Sequence, residues 1–259
     1  MFLHKLNPSI KALTVIVAVI GLALIFDPIT PLLFSIWTIV FTFLFGKVNI
    51  KYYLLFLLPF MIISLGMLWT TIAFSDAPEH PAQTIHLLLW EIPEEDIVAA
   101  LSLVFRMFAF ATLSLLFIFT TDMVHFILSL MQQCKLPPKL AYGVLAGYRF
   151  LPLMKDEFNQ IQEAHQVRGV KRTKKVRESI KQYRRFMIPL LAGAIRKAER
   201  TAVAMESKGF TGEKDRNFYR RFTVKSIDWI FLIVTLTALI AIAYVSNVLG
   251  YFSWYNGQF

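Results

Sequence analysis

The 259-residue sequence predicts an all-α, polytopic membrane protein with about five transmembrane helices and a helical, basic cytoplasmic insert. Hydrophobic residues make up 56% of the chain and the mean hydropathy is +0.56, whereas a globular domain is about 45–50% apolar. Most lysines and arginines fall in one stretch, 122–226, between long apolar runs. We therefore divide the chain into a membrane region (1–121), a basic cytoplasmic region (122–226), and a final span with an external tail (227–259).

Five apolar segments have about the length that crosses a bilayer as a helix. They are Ile10–Phe26, Pro31–Phe45, Tyr52–Phe74, Ile97–Thr121 and Ile227–Leu249. The second is short unless it extends through Ile29 or to Val48. The first follows basic residues, as the apolar run of a signal peptide does, but Phe26-Asp27-Pro28 after it lacks a small-residue cleavage pattern. We interpret it as a retained span.

The charges between these segments predict the orientation. The short segments on one side carry four lysines: Lys5, Lys11, Lys47 and Lys51. The loop Ser75–Asp96 carries acidic residues and neither lysine nor arginine. By the positive-inside rule the N-terminus and the basic region are cytoplasmic, and the loop and the tail Gly250–Phe259 are external.

The basic region holds 22 Lys and Arg against 9 Asp and Glu. Its run Lys171–Arg185 can contact anionic lipid headgroups. No recognition motif accompanies this charge, so nucleic-acid binding is not expected. The single cysteine, Cys134, excludes an intrachain disulfide and a multi-cysteine metal site.

Few residues are candidates for chemistry. The sequence has no G-x-x-x-x-G-K-[ST] phosphate-binding loop, so ATP hydrolysis is not expected of this chain. His80 and His86 could touch a metal, but loop histidines are far more often solvated, and we predict no metal site. Arg106 is the one charge deep in a clear span. An intramembrane charge is a functional candidate, but we favour a structural role, in which Arg106 pairs with helix carbonyls.

The basic region contains two similar helical patterns, after an amphipathic stretch at Met123–Met131. Each pattern begins Arg-Phe, has a proline where a first helical turn tolerates one, carries an apolar stripe, and ends in a cation and a glycine. The first runs from Arg149-Phe150-Leu151-Pro152 through Phe158 and Ile161 to Val167-Arg168-Gly169; the second runs from Arg185-Phe186 through Pro189, Leu191, Ile195, Ala202 and Met205 to Ser207-Lys208-Gly209. The stretch Leu136–Leu153, which is interrupted by prolines and glycines, is expected to form helices at the membrane surface.

The two endings have two possible interpretations. A glycine in the left-handed conformation ends a helix, and a cation in the last turn is favoured by the helix dipole, so both can be ordinary helix ends. The repetition of start, stripe and ending favours a second interpretation, in which each helix presents its cation, Arg168 or Lys208, to an acidic pocket on a partner.

At these residues the sequence resembles the T component, the transmembrane energy-coupling scaffold (EcfT/CbiQ-like) of energy-coupling factor (ECF) transporters. That family has two short Ala-Arg-Gly-type motifs, which match Val167-Arg168-Gly169 and Ser207-Lys208-Gly209. The resemblance is specific from about 97 to 212, and extends to Arg106, Thr120-Thr121, Leu136-Pro137, Arg149-Phe150-Leu151-Pro152 and Ala204-Met205-Glu206. Lys208 stands where the family has arginine. The second motif therefore lacks a guanidinium, which can bind a carboxylate through two parallel hydrogen bonds.

The resemblance implies a non-catalytic subunit in the bacterial cell membrane. Two ATP-binding-cassette ATPases, which carry the ATP and Mg, would dock on the basic region, one groove for each helix. A membrane-embedded substrate-binding S component would lie against the spans, for uptake of a vitamin or similar micronutrient. The residue-based alternative is an autonomous membrane channel or an integral membrane enzyme, although no polar catalytic cluster is apparent at the span ends.

Overall fold

The computed structural model describes residues 2–74, 84–87, 90–169, 176–213 and 217–250. The described elements are a 3-10 helix at Leu3–Lys5, α1 (Pro8–Ala23), α2 (Ile29–Gly46), α3 (Ile50–Ala73), β1 (Thr84–Leu87), β2 (Trp90–Pro93), α4 (Glu94–Thr120), α5 (Met123–Gln133), α6 (Pro138–Val167), α7 (Val176–Ser207) and α8 (Ser226–Val248). The predicted helical membrane fold is confirmed. The antiparallel β1–β2 hairpin, which pairs Thr84 with Pro93, is an addition within the predicted external loop.

Four described helices are long and apolar enough to cross a membrane. The spanning segments are Ile29–Gly46, Ile50–Thr71, Ile97–Thr120 and Ser226–Val248. The second predicted span does extend to Ile29, as its length required. The first predicted span corresponds to α1, whose 16 residues measure about 24 Å against a hydrocarbon core of about 30 Å. The five predicted segments are thus four full-length helices and one shorter helix.

The chain packs as two units, Met1–Ser129 with Phe222–Phe259, and Leu130–Arg221. The second unit is defined by packing and is shorter than the basic region 122–226, which was predicted from charge and hydropathy. In the first unit α4 packs against α1, α2 and α3, and α8 packs against α1 and α2. The buried core of these helices consists of Ala18, Leu22, Phe34, Ala109, Leu113 and Leu239. Helix α3 joins α4 through a separate cluster around Tyr53 and Leu57.

In the second unit, α6 and α7 are antiparallel. Tyr142 contacts Phe210 near one end of the pair, and His165 contacts Phe186 near the other, with ring centroids 5.4 and 5.0 Å apart. Between them, Glu157 forms an ion pair with Lys197. Later residues of α6 thus contact earlier residues of α7. The two helices therefore form an antiparallel hairpin.

The predicted starts of these two helices are wrong. Helix α6 is continuous from Pro138, so residues 138–153 of the predicted surface stretch and the first pattern form one helix. Helix α7 begins at Val176, nine residues before Arg185. Pro152 and Pro189 therefore lie inside helices rather than in first turns. A proline removes one backbone hydrogen bond to the carbonyl four residues earlier. Both prolines are exposed, so the freed carbonyls lie on an accessible face, while packing against the partner helix continues on both sides.

Candidate coupling site

Both helix ends have the predicted glycine geometry. Gly169 and Gly209 adopt φ of 82° and 81°, in the left-handed region that favours glycine. At the end of α7, the Gly209 amide donates to Glu206 O at 2.9 Å and the Phe210 amide to Met205 O at 3.0 Å, which is the Schellman arrangement. At the end of α6, the Gly169 amide donates to Gln166 O at 2.9 Å. The two endings are thus alike in backbone geometry as well as in sequence.

The cations at these ends are accessible. Arg168 and Lys208 are exposed, and so are their neighbours Val167 (89% exposed) and Ser207. Neither cation forms an ion pair with any residue that the structure describes. Each therefore retains its charge-pairing capacity for a carboxylate outside the chain.

The antiparallel pairing places the two cations at opposite ends of the hairpin. Tyr142 and His165, whose partners on α7 are Phe210 and Phe186, are 23 residues apart on one helix, or about 35 Å at 1.5 Å per residue. Lys208 lies beside the first contact and Arg168 just beyond the second. A separation of about 35 Å means that the two cations are too far apart to enter one pocket.

The predicted apolar stripes divide into two sets. Phe158 packs edge-on against the buried Phe186, at 6.0 Å between centroids, and Ile161 is half-buried. In contrast, Leu191 and Ile195 are 62% and 52% exposed. The first set holds α6 to α7, and the second forms an accessible apolar stripe on α7.

A cavity of about 530 Å³ lies between the first half of α6 and the second half of α7. The predicted packing residues Ala202 and Met205 are among its walls. Its other lining residues are Lys139, Tyr142, Gly143, Ala146, Gly147, Phe150, Ala198, Thr201, Glu206, Phe210 and Thr211. The cavity thus lies at the end of the hairpin that carries Lys208.

The helices of the hairpin approach closely at Gly193. A Cβ at this buried position would lie 2.7 Å from Glu157 Oε1, which is closer than side chains tolerate. The same carboxylate pairs with Lys197 one helical turn along α7. Gly193 therefore leaves room for the Glu157 carboxylate beside α7, whereas a Cβ at Gly147 would meet nothing within 4 Å.

Arg149, which begins the first helical pattern, and Arg106, for which a structural role is predicted, have different surroundings. Arg149 is exposed. In the first unit, Arg106 Nη2 donates to Ile25 O at 2.7 Å, and the guanidinium lies 4.3 Å from the centroid of the Phe26 ring. Both contacts fasten the α1–α2 connection to α4, as the interpretation of Arg106 as a structural residue expects.

Sequence reasoning missed two groups of buried polar residues in the first unit. Asp27 is fully buried and accepts hydrogen bonds from the Thr30 amide and hydroxyl and from Ser246. Lys11, interpreted as a charge flanking a span, is 1% exposed. The sequence did contain a sign of these groups, because Asp27 and Lys11 each lie within or beside an apolar run, where a charge needs a partner.

Several other predictions concern residues that are not described. They are the first part of the acidic loop at 75–83 together with its residues 88–89, His80, the first residues of the run Lys171–Arg185, and the tail beyond Gly250. Among the residues that are described, no group of three or more His, Cys, Asp or Glu is placed to hold a metal ion.

The fold and the site define a class: a polytopic helical membrane protein with a hairpin insert that presents two cationic helix ends. Comparison with known families gives a narrower assignment. The family model described as cobalt transport protein (CbiQ) matches residues 1–220. The chain therefore belongs to this family.

Curated relatives agree with this assignment. The chain is 26% identical over 256 residues to the energy-coupling factor transporter transmembrane protein EcfT of Lactococcus lactis, covering 95% of this chain and 94% of the relative. It is 24% identical over 259 residues to EcfT of Streptococcus thermophilus, covering 95% of each chain. The EcfT of Limosilactobacillus fermentum is 35% identical over 117 residues, which is 44% of each chain. The protein is thus a membrane-embedded transporter component of the EcfT/CbiQ type.

Proposed function

We propose that this chain is the subunit that couples two cytoplasmic ATPases to a substrate-binding S component, and that it performs no chemistry itself. The observation that carries the proposal is a pair of exposed cationic helix ends, about 35 Å apart on one antiparallel hairpin, that form no ion pair with the described residues. Two identical or similar motor subunits need two equivalent contacts at a fixed separation. The matched endings at Arg168-Gly169 and Lys208-Gly209 supply them.

Each contact would combine charge with apolar burial. Arg168 or Lys208 would pair with a carboxylate in a groove of one ATPase, which provides orientation and on-rate. Val167 and the exposed stripe with Leu191 and Ile195 would bury apolar surface against a partner subunit. Arg168 would make the stronger contact, because its guanidinium can bind a carboxylate through two parallel hydrogen bonds and the Lys208 ammonium cannot.

The proposed cycle follows from this geometry. ATP-driven closure of the ATPases would bring their grooves together and so displace the two ends of the hairpin relative to each other. The displacement would pass to the first unit and from there to the S component. The N-terminus and the hairpin would face the cytoplasm and the β1–β2 hairpin the outside, with ATP and Mg on the ATPases.

The proposed cargo is a vitamin or similar micronutrient. This cargo is what the resemblance to ECF T components implies, and the names of the relatives that span nearly the whole chain specify no substrate. The family description names cobalt, so cobalt or nickel uptake is the outcome that would replace it. Uptake measured with a tritiated vitamin and with radioactive cobalt in the same cells distinguishes the two.

The proposal is tested by reversing both charges. Arg168→Glu with Lys208→Glu should abolish copurification of the coexpressed ATPases while membrane insertion is unchanged, because each reversal adds repulsion to the lost pairing. The matched control is Lys155→Glu with Arg196→Glu, which reverses one exposed cation on each helix away from its end. Normal copurification by the first variant, or equal loss in both, would contradict the proposed contacts.

A further inference from the structure

One short segment of the first unit contacts both places where the chain passes to and from the second unit. The second unit spans Leu130–Arg221, so the chain leaves the first unit after Ser129 and returns at Phe222. We call residues 3–11 the N-terminal clasp, residues 120–129 the entry, and residues 222–228 the exit.

The clasp holds the entry through two polar side chains, those of Lys11 and Ser9. The Lys11 ammonium donates to Thr120 O at 3.0 Å and to Thr120 Oγ1 at 3.2 Å, and it lies 3.3 Å from Thr121 Oγ1. It also donates to Leu3 O at 2.6 Å, which fixes the start of the clasp itself. The hydroxyls of Ser9 and Ser129 share a buried hydrogen bond of 2.7 Å. Both ends of the entry are therefore fastened to α1.

The clasp holds the exit through Asp228, which is 2% exposed. The Asn7 amide donates to Asp228 Oδ1 at 2.7 Å, and the Lys225 amide donates to Asp228 Oδ2 at 2.8 Å. Leu3 and Leu6 are buried in one cluster with Leu116 of α4 and Phe231 of α8. The carboxylate thus fixes the first turn of α8 to the clasp at the point where the chain re-enters the first unit.

Stability alone does not explain a lysine at position 11, because burying its charge costs free energy. A buried ammonium pays a large desolvation penalty. Its four hydrogen-bond acceptors are carbonyls and hydroxyls, and the Asp228 carboxylate interacts with it electrostatically without a direct ion pair. A methionine of similar length would fill the space without that penalty, and the Asp228 carboxylate would keep its hydrogen bonds from the Asn7 and Lys225 amides. The hydrogen bonds of Lys11 are directional, so they fix the relative positions of α1, the start of the clasp and the entry. Apolar contacts alone would allow these segments to slide past one another.

We propose that Lys11 is a positioning residue for energy coupling. With Ser9 and Asn7 it makes the entry, the exit and the bundle of α1, α4 and α8 move as one rigid body. A displacement of the hairpin is then transmitted to the spans instead of being absorbed at the two connections. This inference rests on the proposed function, because it concerns how a displacement of the hairpin reaches the membrane.

The first test separates positioning from stability. The complex with its ATPases and a riboflavin-binding S component is reconstituted in proteoliposomes, and tritiated riboflavin taken up per ATP hydrolysed is measured. Lys11→Met should assemble and hydrolyse ATP like the wild type, but transport about tenfold less per ATP, as a lost coupling interaction implies. Lys5→Met, a change of an exposed lysine in the same segment, should match the wild type.

An unchanged transport-to-ATP ratio in Lys11→Met would overturn the inference. A loss of assembly and ATP hydrolysis together with transport would also overturn it, since Lys11 would then serve only to stabilise the fold. A wild-type chain that binds no ATPase contradicts the proposed function instead, so the two failures are distinguishable.

A second test does not depend on the folding of that variant. Ser9→Cys with Ser129→Cys, with the exposed Cys134 changed to Ser, places two thiols where hydroxyls lie 2.7 Å apart, within reach of a disulfide. If the clasp and the entry move as one body, the oxidised protein should transport as well as the reduced one. Transport that is lost on oxidation and restored by a reductant would overturn the inference, because the two segments would then have to separate during the cycle.

Discussion

The close approach of α6 and α7 gives a quantitative prediction. Gly193→Ala places a Cβ 2.7 Å from Glu157 Oε1 and 3.4 Å from its carboxyl carbon, so the carboxylate must move or the helices must separate. Overpacking of this kind costs about 1–3 kcal/mol. The alanine also gains about 1 kcal/mol of helix propensity over glycine. Gly147→Ala is the matched control, because it has the same propensity gain and its Cβ meets nothing within 4 Å.

The difference between these two variants isolates the cost of the contact. Hydrogen–deuterium exchange of α6 and α7 peptides in detergent measures the free energy of local opening. A difference of about 1–3 kcal/mol corresponds to exchange about 5 to 150 times faster in Gly193→Ala than in Gly147→Ala. Equal exchange in the two variants would show that the Glu157 carboxylate moves aside without cost, and would refute a tight contact between the helices at Gly193.

Two further predictions concern the membrane unit. A cysteine at Glu94, in the Cys134→Ser background, should react with an impermeant external thiol reagent and one at Lys174 should not; the reverse pattern would overturn the proposed orientation. Arg106→Met should lower the stability of the detergent-solubilised chain by about 1.5–3 kcal/mol, because it removes a hydrogen bond from a charged donor to Ile25 O, yet leave transport per assembled complex unchanged. Normal stability together with lost transport would instead assign Arg106 a direct functional role.

The helical membrane fold was predictable because its signals are local. A bilayer requires long apolar helices, and the charges between them predict the orientation. The ends of the two hairpin helices were equally predictable, because the left-handed conformation at Gly169 and Gly209 is a preference of glycine itself. The matched backbone geometry of these two endings is the part of the candidate site that sequence reasoning anticipated best.

The starts of α6 and α7 and the burial of charged residues were harder to predict from the sequence, because both depend on tertiary packing. Pro152 and Pro189 lie within α6 and α7, since contacts along the hairpin outweigh one lost backbone hydrogen bond at each proline. Lys11 looks like any lysine that flanks a span. Its burial depends on Leu3, Thr120 and Thr121, and only the fold brings those distant residues to it. The antiparallel pairing that separates Arg168 from Lys208 is likewise tertiary, and no local pattern encodes it.

The central claim is that one hairpin receives two motor subunits at its two ends. Native mass spectrometry of the complex, purified in mild detergent after coexpression with the ATPases, measures this directly. The account predicts two ATPase subunits for each copy of this chain, and at most one when only Arg168 or only Lys208 is changed to glutamate. A complex with a single ATPase in the wild type, or this chain alone, would contradict it.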